Sequence, residues 1–303
     1  MRLPMRKGVS VIATYSPHPV FVDGVRLDSS AWNIDVKTRA WASSRNGDVV
    51  IPGVDGVAAS LNDDIEASTM TLSMWVLGTD ENGNVPGGTT AVAKVRDNLD
   101  QLAHLFGKRH ALLNVSEVVD ANGNQRQAYC KVADTVTPEI LVGARAKFTV
   151  TLSVLEGMWQ DVSTSDWTQS SPTSGNFYEV TTLQGATGPI SDAIFTVAGP
   201  VTNPELRDLT TNAYIRLNAA VPAGQVWRVN SGTWATRYGA GLTFASLDTA
   251  GTDAQSVTVF GGGNARFLRL VPQLSSGARR VSVSVTGAGA ASIGVRARRK
   301  FLQ

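Results

Sequence analysis

Side chains that could perform acid–base or metal chemistry are few and far apart in this sequence. Histidine occurs at His18, His104 and His110, and no two of these have the spacing of zinc ligands. The patterns HExxH, GxSxG, GxxxxGK(S/T) and GxGxxG, which mark metalloprotease, hydrolase, phosphate-binding and dinucleotide-binding sites, do not occur. We therefore expect neither an enzyme nor a cofactor nor a bound metal. His104 is interpreted as a boundary residue of a helix rather than a general base.

Two acidic turn sequences carry the carboxylates and amides that a calcium loop would need. They are Asp-Glu-Asn-Gly-Asn at 80–84 and Asp-Ala-Asn-Gly-Asn at 120–124. An EF-hand loop has its glycine at position six, whereas each of these turns has glycine at position four. Because Asn-Gly favours the positive φ angles of tight turns, we predict β-hairpin tips at Asn82-Gly83 and Asn122-Gly123.

Cysteine and tryptophan provide the remaining candidates for chemistry or binding. A single cysteine, Cys130, excludes an internal disulfide, a CxxC redox pair and a Cys-rich zinc site. It lies in a strand-like run, so we predict a buried thiol that packs as a small apolar group. Among the seven tryptophans, Trp227 and Trp234 are candidates for stacking against a sugar. We interpret both rings as core residues and keep sugar contact as the alternative.

The overall composition predicts a folded protein with two domains. The chain has 303 residues, of which 43% are hydrophobic and 17% charged, with a net charge of +2. This charge is too small to indicate a nucleic-acid partner, and we interpret the basic cluster at 296–300 as a solvated strand edge. No apolar run is long enough for a membrane helix, and the run at 9–13 is too short for a signal peptide. We expect synthesis in a cytoplasm without secretion.

Periodicity predicts strands and one helix in the first half of the chain. Apolar residues alternate with Thr, Ser and Trp at 69–76, and with Thr and Ser at 148–154, which predicts two half-buried strands. A stripe with helical spacing predicts a helix over about 90–106, capped by Thr89 or Thr90 and ended by a left-handed Gly107. The residues of this stripe are Val92, Val95, Leu99, Leu102 and Phe106.

A change in composition predicts the domain organisation. The segment 162–175 is rich in Ser and Thr and has no sustained apolar period, so we predict a linker there. The first domain is then 1–161 and the second is 176–303. The second half contains many short strand-like runs between turn residues and no helical pattern, which predicts a β-sandwich or jelly roll.

A series of short motifs follows in order along the first half of the chain. A strand surrounds Gly24, a Pro-Gly-x-Asp-Gly turn follows, and an alternating strand ends near a Gly-x-Trp sequence. This order, with a single helix within it, resembles the distal tail proteins of long, non-contractile-tailed bacteriophages, including those called minor tail proteins. The resemblance covers about 21–161. The matching positions are Gly24, Pro52, Gly53, Asp55, Gly56, Gly157 and Trp159.

The resemblance implies a mainly β protein. Its first domain would be a tail-tube-like β-sandwich with one flanking α-helix, and its second a galectin-like or jelly-roll β-sandwich. It also implies a virion structural protein at the phage tail tip. Six copies would form a ring that joins the tail tube protein to the tail-tip or baseplate hub protein and leaves a channel through which DNA passes. The alternative is a carbohydrate-binding adhesin module whose second domain recognises a host-surface glycan.

Overall fold

The fold is taken from a computed structural model, which describes residues 19–40, 49–50, 57–58, 65–108, 111–134, 136, 138–141, 143–262, 267–273, 279–287 and 289–302. The chain divides into two units, Met1–Met158 with Gln303, and Trp159–Leu302. Both units are built from antiparallel sheets, and the described residues contain one α-helix, which lies in the first unit. The predicted mainly β class with a single helix is confirmed.

The first unit is a curved sheet with one helix on it. Its main sheet has the strand order β2-β1-β7-β8-β10-β6-β3, and β9 pairs with the start of β10. Strands β4 and β5 pair with each other. The element bounds are β1 (Val20–Val22), β2 (Val25–Arg26), β3 (Trp32–Arg39), β4 (Val49–Val50), β5 (Val57–Ala58), β6 (Ser68–Leu77), α1 (Ala91–Phe106), β7 (Leu113–Val118), β8 (Gln125–Val132), β9 (Glu139–Leu141) and β10 (Arg145–Val154).

The two strands predicted from alternation are direct neighbours in this sheet. Strands β6 and β10 pair along ten residues each, with Met74 opposite Phe148 and Leu72 opposite Val150. These apolar residues are buried, whereas the hydroxyl residues lie on the other face. There the Thr71 and Thr151 hydroxyls are 3.2 Å apart. Period-two alternation places one set of side chains on each face, so the pattern determined which face became the core.

The main sheet is curled. This is shown by contacts between side chains on strands that are far apart in the sheet order. Glu117 on β7 accepts a hydrogen bond from the Lys37 ammonium on β3 at 2.5 Å, and it also pairs with Arg39 on β3. Strands β8, β10 and β6 lie between β7 and β3 in the sheet order. The thiol of Cys130 on β8 is fully buried, as predicted, and burial raises its pKa to about 12.

Helix α1 has the predicted extent, with two differences. The Thr90 hydroxyl accepts a hydrogen bond from the Ala93 N–H at 3.2 Å, which confirms the predicted cap. The predicted stripe is buried except for Val92, which is 56% exposed. Gly107 is not left-handed, since its φ is −77°. Glycine is needed there for space, because a Cβ would lie 2.5 Å from the Ala103 carbonyl oxygen that accepts the Gly107 N–H.

The two Asn-Gly turns share their local chemistry but join different elements. Asp80 Oδ1 accepts from the N–H groups of Asn82 and Asn84, and Asp120 does the same for the second turn. The turn at Asn122-Gly123 joins β7 to β8, which confirms the predicted hairpin. The prediction for Asn82-Gly83 is wrong, since that turn leads from β6 into the segment before α1. The hydrogen bonds of the Asp side chain stabilise the reversal of the chain, but they do not determine which element follows the turn.

In the described residues, the second unit contains two sheets and two short strand pairs. The sheet orders are β12-β24-β14-β19-β20-β21 and β13-β23-β16-β17-β22, while β15 pairs with β18 and β11 with β25. Two short 3-10 helices lie at Thr181–Leu183 and Gln255–Val257. The strands are β11 (Trp159–Asp161), β12 (Ser165–Ser170), β13 (Phe177–Glu179), β14 (Ile194–Ala198), β15 (Val201–Thr202), β16 (Glu205–Asp208), β17 (Tyr214–Leu217), β18 (Ala220–Val221), β19 (Gln225–Asn230), β20 (Ala235–Ala240), β21 (Thr252–Asp253), β22 (Thr258–Gly261), β23 (Ser282–Thr286), β24 (Ser292–Ala297) and β25 (Lys300–Phe301).

One apolar core joins the two sheets, as in a β-sandwich. Phe195 and Trp227 come from the first sheet, Ile215 and Val283 come from the second, and all four are fully buried. Trp227 is the largest of the fully buried side chains in the described residues. Aligned sheets pack about 10 Å apart through such interdigitated side chains, which explains why strands this short are stable together.

The linker predicted at 162–175 contains a strand of the sandwich. Strand β12 pairs with all six residues of β24. Asp166 lies directly opposite Arg296 and accepts two hydrogen bonds from its guanidinium, at 2.5 and 2.6 Å. These bonds lower the pKa of Asp166. Polar side chains made the segment resemble a linker, although strand β12 is defined by its pairing rather than by an apolar face.

The basic cluster at the end of the chain is not a solvated strand edge, so that interpretation is wrong. Strand β24 lies between β12 and β14, and Arg296 is paired as described. Arg299 donates to Asp161 at 2.6 Å. The Lys300 side chain is 2% exposed and lies 3.3 Å from an Asp192 carboxylate oxygen. These three cations each lie beside an acid from a distant part of the same unit, and Arg298 donates to the Val162 carbonyl oxygen at 3.3 Å. Local sequence does not show these contacts.

Candidate functional site

Three of the seven motif positions that carry the resemblance lie in the described residues, and these three form turns or pack in the core. Pro52, Gly53, Asp55 and Gly56 lie outside the described residues. Gly24 has a φ of +82° in the turn between β1 and β2, and Gly157 has a φ of +65° in the turn before β11. Trp159 is 3% exposed. Of these positions, the three described ones present no reactive side chain, so they form turns and packing rather than a binding site.

The two tryptophans considered for sugar contact have opposite environments. Trp227 is fully buried in the sandwich core, so its ring is not accessible to a ligand and the sugar-contact alternative is wrong for it. Trp234 is 61% exposed and lies in the turn between β19 and β20. The interpretation of Trp234 as a core residue is therefore wrong. An indole this exposed makes the surface around it the first candidate for binding.

Three aromatic side chains form a continuous surface around Trp234. The rings of Trp234 and Phe267 are stacked, with centroids 5.8 Å apart and planes at 8°. Phe260 lies 5.8 Å from Phe267 at 55° and is 49% exposed. Phe267 packs against the sandwich core. We call Trp234, Phe260 and Phe267 the aromatic platform. Clustered exposed aromatic area is typical of binding surfaces rather than of isolated surface residues.

A cavity of about 420 Å³ lies beside the platform. Besides the three rings it is lined by Ser191, Ser231, Leu268 and Arg269. Ser231 is 3% exposed, and its hydroxyl has no hydrogen-bond partner among the residues that the structure describes. A buried hydroxyl without a partner costs about 1–3 kcal/mol. The cavity therefore combines an apolar wall of aromatic rings with polar residues, Ser191 and Ser231, in its lining.

The backbone at Trp234 is held in an unusual conformation. Its φ is +61°, in the left-handed region that large side chains rarely adopt. Such a conformation costs about 1–3 kcal/mol and persists when surrounding contacts fix it. The Asn230 side chain accepts from the Gly232 N–H at 3.0 Å, within the same turn. Asn230 also pairs with Ala235 across the turn. The turn is therefore constrained on both sides of the exposed ring.

Asp248 connects this turn to the rest of the unit. Its carboxylate accepts from Arg228 at 2.6 Å, from the Asn230 amide at 3.0 and 3.1 Å, and from the Thr233 hydroxyl at 2.5 Å. Its carbonyl oxygen accepts from Arg237 at 2.6 Å. Burial alone would raise the pKa of Asp248, but the hydrogen bonds from Thr233, Arg228 and Asn230 lower it. We call Asp248 with these four donors the Asp248 cluster.

A second cavity, of about 640 Å³, lies in the first unit. It runs between the end of α1, the end of β8 and the segment that follows β8, with Leu99, Phe106, Val136 and Phe148 among its apolar lining. Lys108, Lys131 and Asp134 provide its charged rim. Among the described lining residues no nucleophile and base come together, so this mixture of apolar and charged groups suits a chain segment rather than a reaction.

Two kinds of feature are absent from the described residues. In them, no three His, Cys, Asp or Glu side chains come together as a set of metal ligands. No helix in the same residues is long and apolar enough to cross a membrane.

Sequence reasoning missed most of the platform. Phe260 and Phe267 are seven residues apart on either side of a glycine-rich stretch, and Trp234 is distant from both. No periodicity relates these three residues. The one available signal was Trp234 itself, because it follows Ser-Gly-Thr, a turn-like sequence in which an apolar residue has no core to face.

Comparisons with known proteins give a weak structural similarity. No family model and no curated protein matches the sequence. Two solved structures of the phage p2 baseplate in its activated conformation, one with Sr and one with Ca, align with 93% of this chain and 98% of the compared chain. Each has a TM-score of 0.39 and 9% sequence identity. Similarity at this level leaves function to be argued from the residues of the chain itself.

Proposed function

We propose that this chain is a virion structural protein of a bacteriophage tail rather than an enzyme. Six copies of the first unit form a ring at the distal end of the tail. The ring joins the tail tube protein to the tail-tip or baseplate hub protein and leaves a channel for DNA. What carries the proposal is the order of motifs over about 21–161, which resembles distal tail proteins. The baseplate structures named above do not carry it, because their similarity is too low.

The edges of the main sheet support ring assembly by the first unit. In the described residues its main sheet ends at β2 on one side and at β3 on the other. The outward face of β3 carries Val36, which is 49% exposed, beside the exposed Thr38. Edge strands have backbone groups that can pair with another chain. When the two edges of a sheet are complementary, head-to-tail pairing generates a closed ring if the rotation per copy closes.

The oligomeric state of the full chain tests the proposal. Light scattering after size exclusion should give six times the mass of one chain, and class averages in electron microscopy should show six-fold rings with a central opening. The mixture with the tail tube protein should be measured as well, since assembly can require that template. A chain that stays monomeric at all concentrations, alone and with the tube protein, contradicts the proposal.

Two matched substitutions test the role of β3. Val36→Lys places a charge on the edge strand, and Val92→Lys places the same charge on the exposed face of α1. Both sites are exposed, so each change should alter stability by less than about 0.5 kcal/mol. Val36→Lys should weaken assembly because charges on edge strands oppose pairing. Equal assembly by both variants would argue against β3 as the contact.

A further inference from the structure

We propose that the aromatic platform of the second unit binds a saccharide. One sugar ring stacks on the open face of the Trp234 indole, and sugar hydroxyls bind polar groups in the adjoining cavity. This activity goes beyond assembly of the ring and does not depend on it, because every residue involved lies in the second unit.

The open indole face is the first step. The Phe267 ring lies beside the Trp234 indole with nearly parallel planes and centroids 5.8 Å apart, and Trp234 remains 61% exposed. Most of the indole is therefore accessible to a ligand. A flat apolar surface of this kind matches the C–H face of a pyranose ring. Phe260 extends the surface beyond a single ring.

Rigidity is the second step. The Asp248 carboxylate accepts hydrogen bonds from Asn230, just before the turn, and from Thr233, within it. The positive φ of Trp234 is part of this fixed geometry. A surface held in its binding conformation loses less entropy when a ligand binds. The strained backbone at Trp234 directs a large ring away from the core, and a role of that ring in binding would explain why the strain is retained.

The polar lining is the third step, and it favours a saccharide over an apolar side chain of another protein. Two serines, Ser191 and Ser231, stand in the cavity lining beside the aromatic rings. A sugar hydroxyl can hydrogen-bond to polar groups in such a lining, whereas an apolar occupant would bury them without a partner. The cavity volume of about 420 Å³ lies within the usual range for small-molecule sites.

The test uses the full chain and an array of bacterial surface polysaccharides and their component oligosaccharides. Wild-type protein should bind at least one saccharide on the array, and titration of that saccharide should shift the tryptophan fluorescence. Trp234→Ala should weaken binding about tenfold, as expected for loss of one stacking contact. The matched control is Phe177→Ala, which removes another exposed aromatic ring of the same unit from outside the platform and its cavity. It should leave binding unchanged.

Two further variants separate binding from folding and from other occupants. Trp234→Gly removes the ring and relieves the positive φ, so it should lose binding and still unfold close to the wild-type temperature. Ser231→Ala should keep the melting temperature and weaken saccharide binding. If the platform instead holds an apolar side chain of a tail protein, Ser231→Ala should strengthen that complex.

Three results would overturn the proposal. The first is a wild-type chain that binds no saccharide on the array. The second is an equal loss of binding in Trp234→Ala and Phe177→Ala. The third is binding of a tail protein at the platform that Ser231→Ala strengthens.

Discussion

Replacing Leu102 with alanine tests how helix α1 is attached to the first unit. Leu102 is 1% exposed and belongs to the buried stripe of the helix. The change removes three carbon atoms, worth about 0.8 kcal/mol each when buried, and leaves a cavity that adds to this cost. The free energy of unfolding of the first unit should fall by about 3–4 kcal/mol. With a urea slope of about 2 kcal/mol per molar, the midpoint should fall by roughly 1.5–2 M.

Because the chain has two units, a single unfolding curve does not show which unit unfolds. Labelling of Cys130 reports on the first unit alone. Cys130 is the chain's one cysteine, it lies in the first unit, and it is fully buried. Burial raises its thiol pKa to about 12, so the folded unit should react slowly with thiol reagents. Brief thiol labelling across a urea series therefore reports the opening of the first unit alone.

Val92→Ala is the matched control for this measurement. Val92 belongs to the same sequence stripe as Leu102, but it is 56% exposed. Alanine also has the higher helix propensity, so the variant should be neutral or more stable by up to about 0.7 kcal/mol. Similar losses for Leu102→Ala and Val92→Ala, or a loss below about 1 kcal/mol for Leu102→Ala, would refute the proposed packing of α1.

The remaining predictions concern the Asp248 cluster, the boundary between the units and one glycine. The lowered pKa of Asp248 stabilises the fold above the ordinary Asp pKa, and this contribution is lost as pH falls through the lower folded value. The wild-type melting temperature should therefore fall more steeply than that of Asp248→Asn on acidification; parallel curves would contradict this. A fragment of residues 159–302 should unfold cooperatively in calorimetry, whereas 176–302, which lacks β12, should be less stable; equal melting temperatures would count against this role of β12. Gly107→Ala should lower the free energy of unfolding in urea by about 1 kcal/mol or more, because a Cβ there would crowd the Ala103 carbonyl. Gly87→Ala should not lower it, because the space around Gly87 is open. Equal effects of the two changes would argue against that crowding.

Sequence alone predicted the features that depend on neighbours within a few residues. Alternation at 69–76 and 148–154 placed β6 and β10 with the correct buried face, because a strand exposes its two faces to different surroundings at every second residue. The Thr90 cap and the turn at Asn122-Gly123 were also predicted, because a side-chain oxygen and a positive φ act within one turn.

The tertiary structure decided every feature that needs a partner distant in sequence. Trp227 and Trp234 are seven residues apart and of one type, yet one is fully buried and the other mostly exposed, because the opposing sheet covers β19 and leaves its turn uncovered. Strand β12 pairs along its whole length with β24, although Trp167 is its single apolar residue.

The aromatic platform shows the same limit most clearly. Its rings come from the turn after β19, from β22 and from the segment after 266, and no local pattern relates them. Local propensity fixes which faces of a chain are apolar, but it does not determine which of those faces meet. The packing of two sheets leaves a particular set of rings outside the core, and that choice depends on contacts across the whole unit.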